Sequence, residues 1–231
     1  LLAARRALED AGLQASELDL IVLGTLTPDQ PIPSTACKLQ HELGATRAAA
    51  FDMQAGCTGF VYALNVGAQF VWSGSCKNVL VLGAEKLYHV DKQKSFAAFS
   101  GAVDVEALKE IMERLRSASQ SAGGEKNSAP GEKRSMFMDI YAAAARAHMQ
   151  RYGTTAEQFA AVSAKNSYHG SMNPRAQFRE ALTVAEVLAA PMIAPPLTRP
   201  MCSPIGDGAA AVVLVSERKA REIGVAQPVR I

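Results

Sequence analysis

A lone cysteine lies between two glycines at the point where a short apolar segment changes to a helical pattern. Cys57 is in the run QAGCTGF, residues 54–60; residues 48–53 before it are typical of a strand. The apolar residues that follow recur at helical spacing: Phe60, Ala63, Leu64, Gly67, Ala68 and Val71. The unpaired amides and macrodipole of a helix start favour a thiolate and can stabilise an oxyanion. Cys57 is therefore a candidate nucleophile, although the local pattern fits a buried, inert cysteine equally well.

The segments around this cysteine alternate between strand and helix patterns. A helix is predicted up to Gly12, a strand over 18–26 and a helix over 34–43 that ends at Gly44. A strand up to Met53, the helix after Cys57 and a strand over 78–84 follow. Such alternation predicts an α/β fold with a parallel or mixed layered sheet.

From residue 87 to about residue 200 the pattern becomes mainly helical and irregular. We predict a large insertion that lies over the active site, with a helix over 137–152 and a flexible segment over 117–135, which is rich in Ser, Gly and Ala. Two capping-box patterns begin at Thr154 and Thr183. They predict the starts of two further helices.

The sheet pattern returns near the end of the sequence. Residues 208–215 form an unbroken apolar run, 216–223 a charged helix, and 229–231 the beginning of another strand. The turn before the apolar run holds Asp207 between two glycines, and we expect its carboxylate to tie down that turn through the turn's own amides. The predicted domains are a core of 1–86 with 201–231 and an insertion of 87–200.

Composition excludes several classes of protein. The chain is 48% hydrophobic and 20% charged with a net charge of +2, so nucleic-acid binding is not suggested. It has no apolar run of the roughly 18 residues that a membrane span needs, and its first residues do not resemble a secretory signal. The four cysteines form no disulfide or metal-ligand pattern, which disfavours a metal site and favours a reducing, cytoplasmic location.

Four segments of the first half resemble β-ketoacyl-carrier-protein synthase III. They are PSTACKLQHELG at 33–44, AAAFD at 48–52, CTGF at 57–60 and NVLVLGAEK at 78–86. Later segments resemble thiolases of the sterol carrier protein X or lipid-transfer type: KSFAAFSGAVD at 94–104, MDIYAAAAR at 138–146, KN at 165–166, NPRAQFR at 173–179 and CSPIGDGAAA at 202–211. Both relatives belong to the thiolase superfamily.

The resemblance implies a thiolase-like layered fold and a covalent acyl intermediate on Cys57. The first interpretation is an acyltransferase that forms or thiolytically cleaves a carbon–carbon bond in 3-oxoacyl-coenzyme A. One alternative is a synthase III-like condensing enzyme that uses acyl carrier protein, and another is a catalytically silent subunit of a hetero-oligomer. Coenzyme A thioesters are the implied substrates, and no bound cofactor is expected.

The resemblance also implies binding residues and partners. Lys165, His169, Arg175 and Arg179 are the candidates for contacts with coenzyme A, the basic residues with its phosphates. We expect a homodimer formed through the strand at 49–53. The chain resembles the N-terminal half of these enzymes, so a histidine and other remaining active-site groups are expected from a second half, either of a longer enzyme or on a separate chain.

Overall fold

The computed structural model describes residues 1–97, 106–107, 110, 113 and 136–231. The predicted flexible segment at 117–135 lies outside them. The chain divides into two units: Leu1–Ala98 with Ile205–Ile231, and Phe99–Pro204. The sequence had placed the corresponding boundaries at 86/87 and 200/201.

A four-stranded mixed sheet is the centre of the first unit. Its strands are β1 (Leu20–Gly24), β2 (Ala49–Met53), β3 (Asn78–Glu85) and β6 (Gly208–Val215). Their order is β2-β1-β3-β6; β2, β1 and β3 are parallel, and β6 runs antiparallel to β3. The predicted α/β class is confirmed.

The helices of this unit are α1 (Leu2–Ala11), α2 (Thr35–Leu43), α3 (Gly59–Trp72), α4 (Lys92–Ala97) and α8 (Glu217–Glu222). Gly12 and Gly44 end α1 and α2 in the left-handed conformation, as predicted, at φ 65° and 72°. Ser34 and Ser216 cap the starts of α2 and α8. The predicted strand at 229–231 is wrong, because these residues are irregular.

The sheet is covered on both faces. Ile21 and Leu23 of β1 pack in one cluster with residues of α1 and α2, while Leu20 and Val22 pack in another with α3. Successive side chains of a strand point to opposite faces, so a strand buried on both faces is apolar throughout. This explains the uninterrupted run LIVLG of β1.

The described part of the second unit is mainly helical. It contains α5 (Met136–Tyr152), α6 (Ala156–Met172) and α7 (Val184–Ala189), followed by the short antiparallel strands β4 (Met192–Ala194) and β5 (Leu197–Thr198). Buried Thr198 donates a hydrogen bond from its hydroxyl to the carbonyl of Val187, at 2.7 Å. No helix in the described ranges is long and apolar enough to cross a membrane.

Both predicted helix caps lie in this unit, and one needs a correction. Thr183 and Glu186 form the predicted capping box at α7. The box at α6 is formed by Thr155 and Gln158, whereas the sequence pattern indicated Thr154 and Glu157. Both pairs have the required spacing of three residues, and the position of the first helical turn decides between them.

Candidate active site

Cys57 lies on a one-turn 3-10 helix, Gly56–Thr58, between β2 and α3. Gly56 has φ +56°, a conformation that favours glycine, and Thr58 donates from its hydroxyl to the carbonyl of Ala55 at 2.6 Å. The α-helix begins at Gly59, two residues after Cys57. The Cys57 side chain is exposed. The alternative interpretation of a buried cysteine is therefore wrong as to burial.

The connections of the sheet predict a crevice beside this turn. The chain leaves β1 towards α2 on one face of the sheet and leaves the neighbouring β2 towards α3 on the other. The segments after β1 and β2 consequently diverge at their carboxyl ends. Such switch points are where ligands bind in open α/β sheets. Cys57 follows β2 at this position.

Close backbone packing holds the turn against the sheet. A Cβ atom placed on Gly24, the last residue of β1, would lie 2.7 Å from the carbonyl carbon of Gly59 and 3.0 Å from the amide nitrogen of Phe60. One on Gly83 of β3 would lie 3.1 Å from the ring of Phe60. Glycine at 24 and 83 thus lets the first turn of α3 approach the ends of β1 and β3.

Asp52 connects the turn region to α2. Its two carboxylate oxygens accept hydrogen bonds from the amides of Thr35 (2.9 Å) and Ala36 (2.8 Å), the first residues of α2. A carboxylate satisfies unpaired amides there and interacts favourably with the helix dipole. The strand before Cys57 and the helix after β1 are thereby joined.

A group of polar residues that the sequence patterns did not predict lies at the ends of β1 and β3. Glu85 accepts from the amide of Leu26 at 2.8 Å and from the hydroxyl of Thr27 at 2.7 Å. The Thr27 hydroxyl oxygen in turn accepts from the amide of Lys86 at 2.9 Å. The available signal was a charged pair, Glu85 and Lys86, directly after an apolar strand.

Asp207 completes this group and corrects a prediction. Its Oδ1 atom accepts from the amides of Leu87 (2.9 Å) and Tyr88 (2.8 Å), and its Oδ2 atom pairs with Lys86. The predicted partners were the amides of its own turn. The hydrogen bond from Lys86 contributes most, followed by the bond from Tyr88, to holding the pKa of Asp207 below its ordinary value.

The other cysteines differ from Cys57. Burial raises the pKa of Cys202. Burial and, to a lesser extent, Asp19 raise the pKa of Cys76. The thiol of Cys37 donates to the carbonyl of Ala50 at 3.4 Å. These environments fit structural roles for the three thiols.

The predicted coenzyme A contacts all lie in the second unit and are exposed. Lys165 and His169 are one turn apart on α6, so they share a face of that helix. Arg175 and Arg179 lie between α6 and α7. Within the described residues there is no group of three or more His, Cys, Asp or Glu side chains arranged to hold a metal ion.

Comparison with known proteins connects the Cys57 region to one enzyme family. The family model of 3-oxoacyl-[acyl-carrier-protein] synthase III matches residues 51–112, which include Cys57. The β-ketoacyl-[acyl-carrier-protein] synthase III of Geobacillus kaustophilus is 54% identical over 85 residues, which are 37% of this chain and 27% of that protein. The enzyme of that name from Bacillus pumilus is 42% identical over 116 residues, 49% of this chain and 37% of that protein. The matched parts therefore span well under half of these relatives.

A solved structure described as an Ltp2-ChsH2(DUF35) aldolase resembles nearly the whole chain. It is 24% identical, covers 95% of this chain and 50% of its own, and superposes with a TM-score of 0.68. The chain has a thiolase-like fold. The likeness of its later segments to sterol carrier protein X thiolases stays a prediction.

Proposed function

We propose that the chain carries the nucleophilic part of a condensing enzyme similar to β-ketoacyl-carrier-protein synthase III. The observation that carries this proposal is the family match over residues 51–112, which contains the exposed Cys57 turn. It favours the condensing alternative over thiolytic cleavage of 3-oxoacyl-coenzyme A, our first interpretation of the sequence. Coenzyme A and acyl carrier protein are then the two carriers of the substrates.

The first half-reaction needs only the thiolate and an oxyanion site. The Cys57 thiolate attacks the carbonyl carbon of an acyl-coenzyme A, the new carbon–sulfur bond forms, and the bond to the coenzyme A sulfur breaks. Coenzyme A leaves as a thiolate, and the proton that the Cys57 thiol released on ionisation restores its thiol. The first amides of a helical turn have no partner within the helix, so the Cys57 amide is one donor to the developing oxyanion. The acyl group then remains on Cys57 as a thioester.

The second half-reaction makes the carbon–carbon bond. The α-carbanion of a second thioester attacks the acyl carbonyl, and the Cys57 thiolate is released. We assign no residue of this chain to the formation of that carbanion. In this proposal the groups that form it come from a second half-domain, on the same polypeptide or on a separate chain.

The outward face of α3 is apolar but exposed, which favours contact with a further packing partner. Val61, Tyr62 and Trp72 are 61%, 54% and 66% exposed, although the helix is apolar on most sides. A helix that is apolar all round is typical of a buried layer. We assign this face to contact with the second half-domain.

The homodimer is assigned to the edge of the sheet. β2 is an edge strand in the described sheet. Its residues 49 and 53 use their inward backbone groups to pair with β1, as in the bond from the Ala49 amide to the Asp19 carbonyl at 3.0 Å. The amide of Ala50, by alternation, points outward. It is available to a second copy of the strand.

Binding of coenzyme A is assigned to Lys165, His169, Arg175 and Arg179. Charged donors to phosphate suit the nucleotide end of this substrate. Arg175→Ala with Arg179→Ala is expected to raise the coenzyme A concentration for half-maximal acylation, with a smaller effect on the maximal rate. The control is Arg151→Ala, on α5. An equal effect of the control would contradict the assignment.

The test of the proposed function separates its alternatives by product. The acyl-enzyme is formed with a short acyl-coenzyme A and then offered a second thioester on either acyl carrier protein or coenzyme A, with the second half-domain present. A 3-oxoacyl product on acyl carrier protein supports the proposal. A product on coenzyme A alone supports the thiolase interpretation, and failure of Cys57 to take up any acyl group supports the silent subunit.

A further inference from the structure

Two carboxylates hold together three segments of chain at the ends of β1, β3 and β6. Glu85 binds the segment after β1 through Leu26 and Thr27. Asp207 binds the segment after β3 through Leu87 and Tyr88. We call Glu85, Asp207, Thr27 and Lys86 the carboxylate clamp. Its hydrogen bonds join residues that lie 58 to 121 apart in sequence, so the clamp is a product of the fold.

Two glycines connect the clamp to the Cys57 turn. Gly24, which packs on the backbone of Gly59, directly precedes the segment that Glu85 holds. Gly83, which packs on the Phe60 ring, is two residues before Glu85 itself. Gly59 and Phe60 begin the helix that follows Cys57. The clamp therefore lies close in sequence to both contacts of that first turn, one with its backbone and one with the Phe60 ring.

The clamp also fixes one side of the crevice. The segment after β1 leads towards α2 and diverges there from the Cys57 turn. Its bonds to Glu85 use the main-chain amide of Leu26 and the hydroxyl of Thr27, so its backbone is held directly. A thioester lying in the crevice would be oriented by this segment and attacked from the turn.

We propose that Glu85 and Asp207 are positioning residues for acyl transfer to Cys57: they set the orientation of the crevice wall relative to the thiol without touching the substrate. This role rests on the proposed function. It predicts that loss of the clamp slows acyl transfer from a bulky thioester, because that reaction needs the crevice wall and the Cys57 thiol to be correctly oriented relative to each other. The reaction of Cys57 with a small alkylating reagent needs no such wall.

The variants remove different hydrogen bonds of the clamp, so that their contributions can be distinguished. Asp207→Ala removes the acceptor of both backbone amides, whereas Asp207→Asn keeps a carbonyl oxygen for them. Thr27→Val removes the hydroxyl that joins Glu85 to the Lys86 amide while keeping the shape of the side chain. Asp29→Asn is the control, because Asp29 lies in the same segment and its carboxylate pairs with the exposed Lys38.

The experiment measures two rates at Cys57 on the full chain: acylation by a short acyl-coenzyme A, and alkylation by iodoacetamide. We expect Asp207→Ala and Thr27→Val to slow acylation by about tenfold or more. Alkylation should be unchanged, Asp207→Asn should retain most of the acylation rate, and the control should match the unsubstituted protein.

Three results would overturn the role. If acylation is unchanged in both Asp207→Ala and Thr27→Val, the positioning role is refuted while the proposed function stands. If acylation and alkylation fall in parallel, the variants have lost structure in general, and the positioning role is refuted as well. If Asp207→Ala does not fold, Thr27→Val decides in the same way. Absence of acylation in the unsubstituted protein, both alone and with the second half-domain present, refutes the proposed function and this role with it.

Discussion

Replacing Gly24 by alanine tests whether backbone packing positions the Cys57 turn. The added Cβ would lie 2.7 Å from the carbonyl carbon of Gly59. Because relaxed carbon contacts begin at about 3.5 Å, this backbone must move by about 0.8 Å. The other close atoms, the Gly59 oxygen at 2.8 Å and the Phe60 nitrogen at 3.0 Å, also belong to the backbone. No side chain can rotate away to relieve the contact.

The expected cost follows from this displacement. Overpacking of a core destabilises by about 1–3 kcal/mol. For a chain of 231 residues, that lowers the melting temperature by roughly 2–4 °C per kcal/mol. A displacement approaching 1 Å at a reacting group can lower the rate by about a hundredfold, so we expect acylation of Cys57 to fall by about tenfold to a hundredfold.

The assay compares Gly24→Ala with two other glycine substitutions. Gly208→Ala is the matched control, because a Cβ there meets no heavy atom within 4 Å. Gly67→Ala is intermediate, since its Cβ would meet the side chains of Val81 and Leu214 at 2.9 and 3.0 Å. Thermal unfolding and the acylation rate are measured for all three. If Gly24→Ala matches Gly208→Ala in both, backbone contact does not position the turn.

Three further predictions concern the cap, the charge of Asp207 and the edge strand. Asp52→Ala removes both acceptors at the start of α2 and should cost about 1 kcal/mol in denaturant unfolding; an unchanged midpoint would contradict the cap. The pKa of Asp207 is lowered in the folded state. Its stabilising charge is therefore fully present above the unfolded value of about 3.9 and is lost as the pH falls through the lower folded pKa. The melting temperatures of Asp207→Asn and the unsubstituted protein should converge on acidification, and a constant difference would refute this. Ala50→Pro removes an outward amide only, and should give a monomer by analytical ultracentrifugation; a persistent dimer would exclude this edge as the interface.

The features that were predictable from sequence are those set by near neighbours in the chain. Gly12 and Gly44 end their helices because left-handed backbone favours glycine, whatever the tertiary structure. The apolar run of β6 is likewise a strand as predicted, and the alternation of strand and helix gave the α/β class. These patterns need no knowledge of distant contacts.

The remaining features depend on residues far apart in sequence. Asp207 was expected to bind its own turn, but its partners are about 120 residues away, at Leu87 and Tyr88. The one-turn 3-10 helix at Cys57 depends on where Gly59 can pack against Gly24, which only the folded sheet determines. The strand expected at 229–231 pairs with no strand in the part of the chain that the structure describes, and apolar spacing alone does not supply a partner.

The most direct test of the account is the mass of the peptide that contains Cys57 after incubation with acyl-coenzyme A. The chain is incubated alone and together with a second half-domain, with a short and a long acyl group, and Cys57→Ala is treated in parallel. We predict a mass gain of one acyl group on this peptide, lost in Cys57→Ala, while the peptides of Cys37, Cys76 and Cys202 remain unmodified. No gain in any mixture of folded proteins would contradict the role of Cys57 as a nucleophile and leave a structural subunit as the better account.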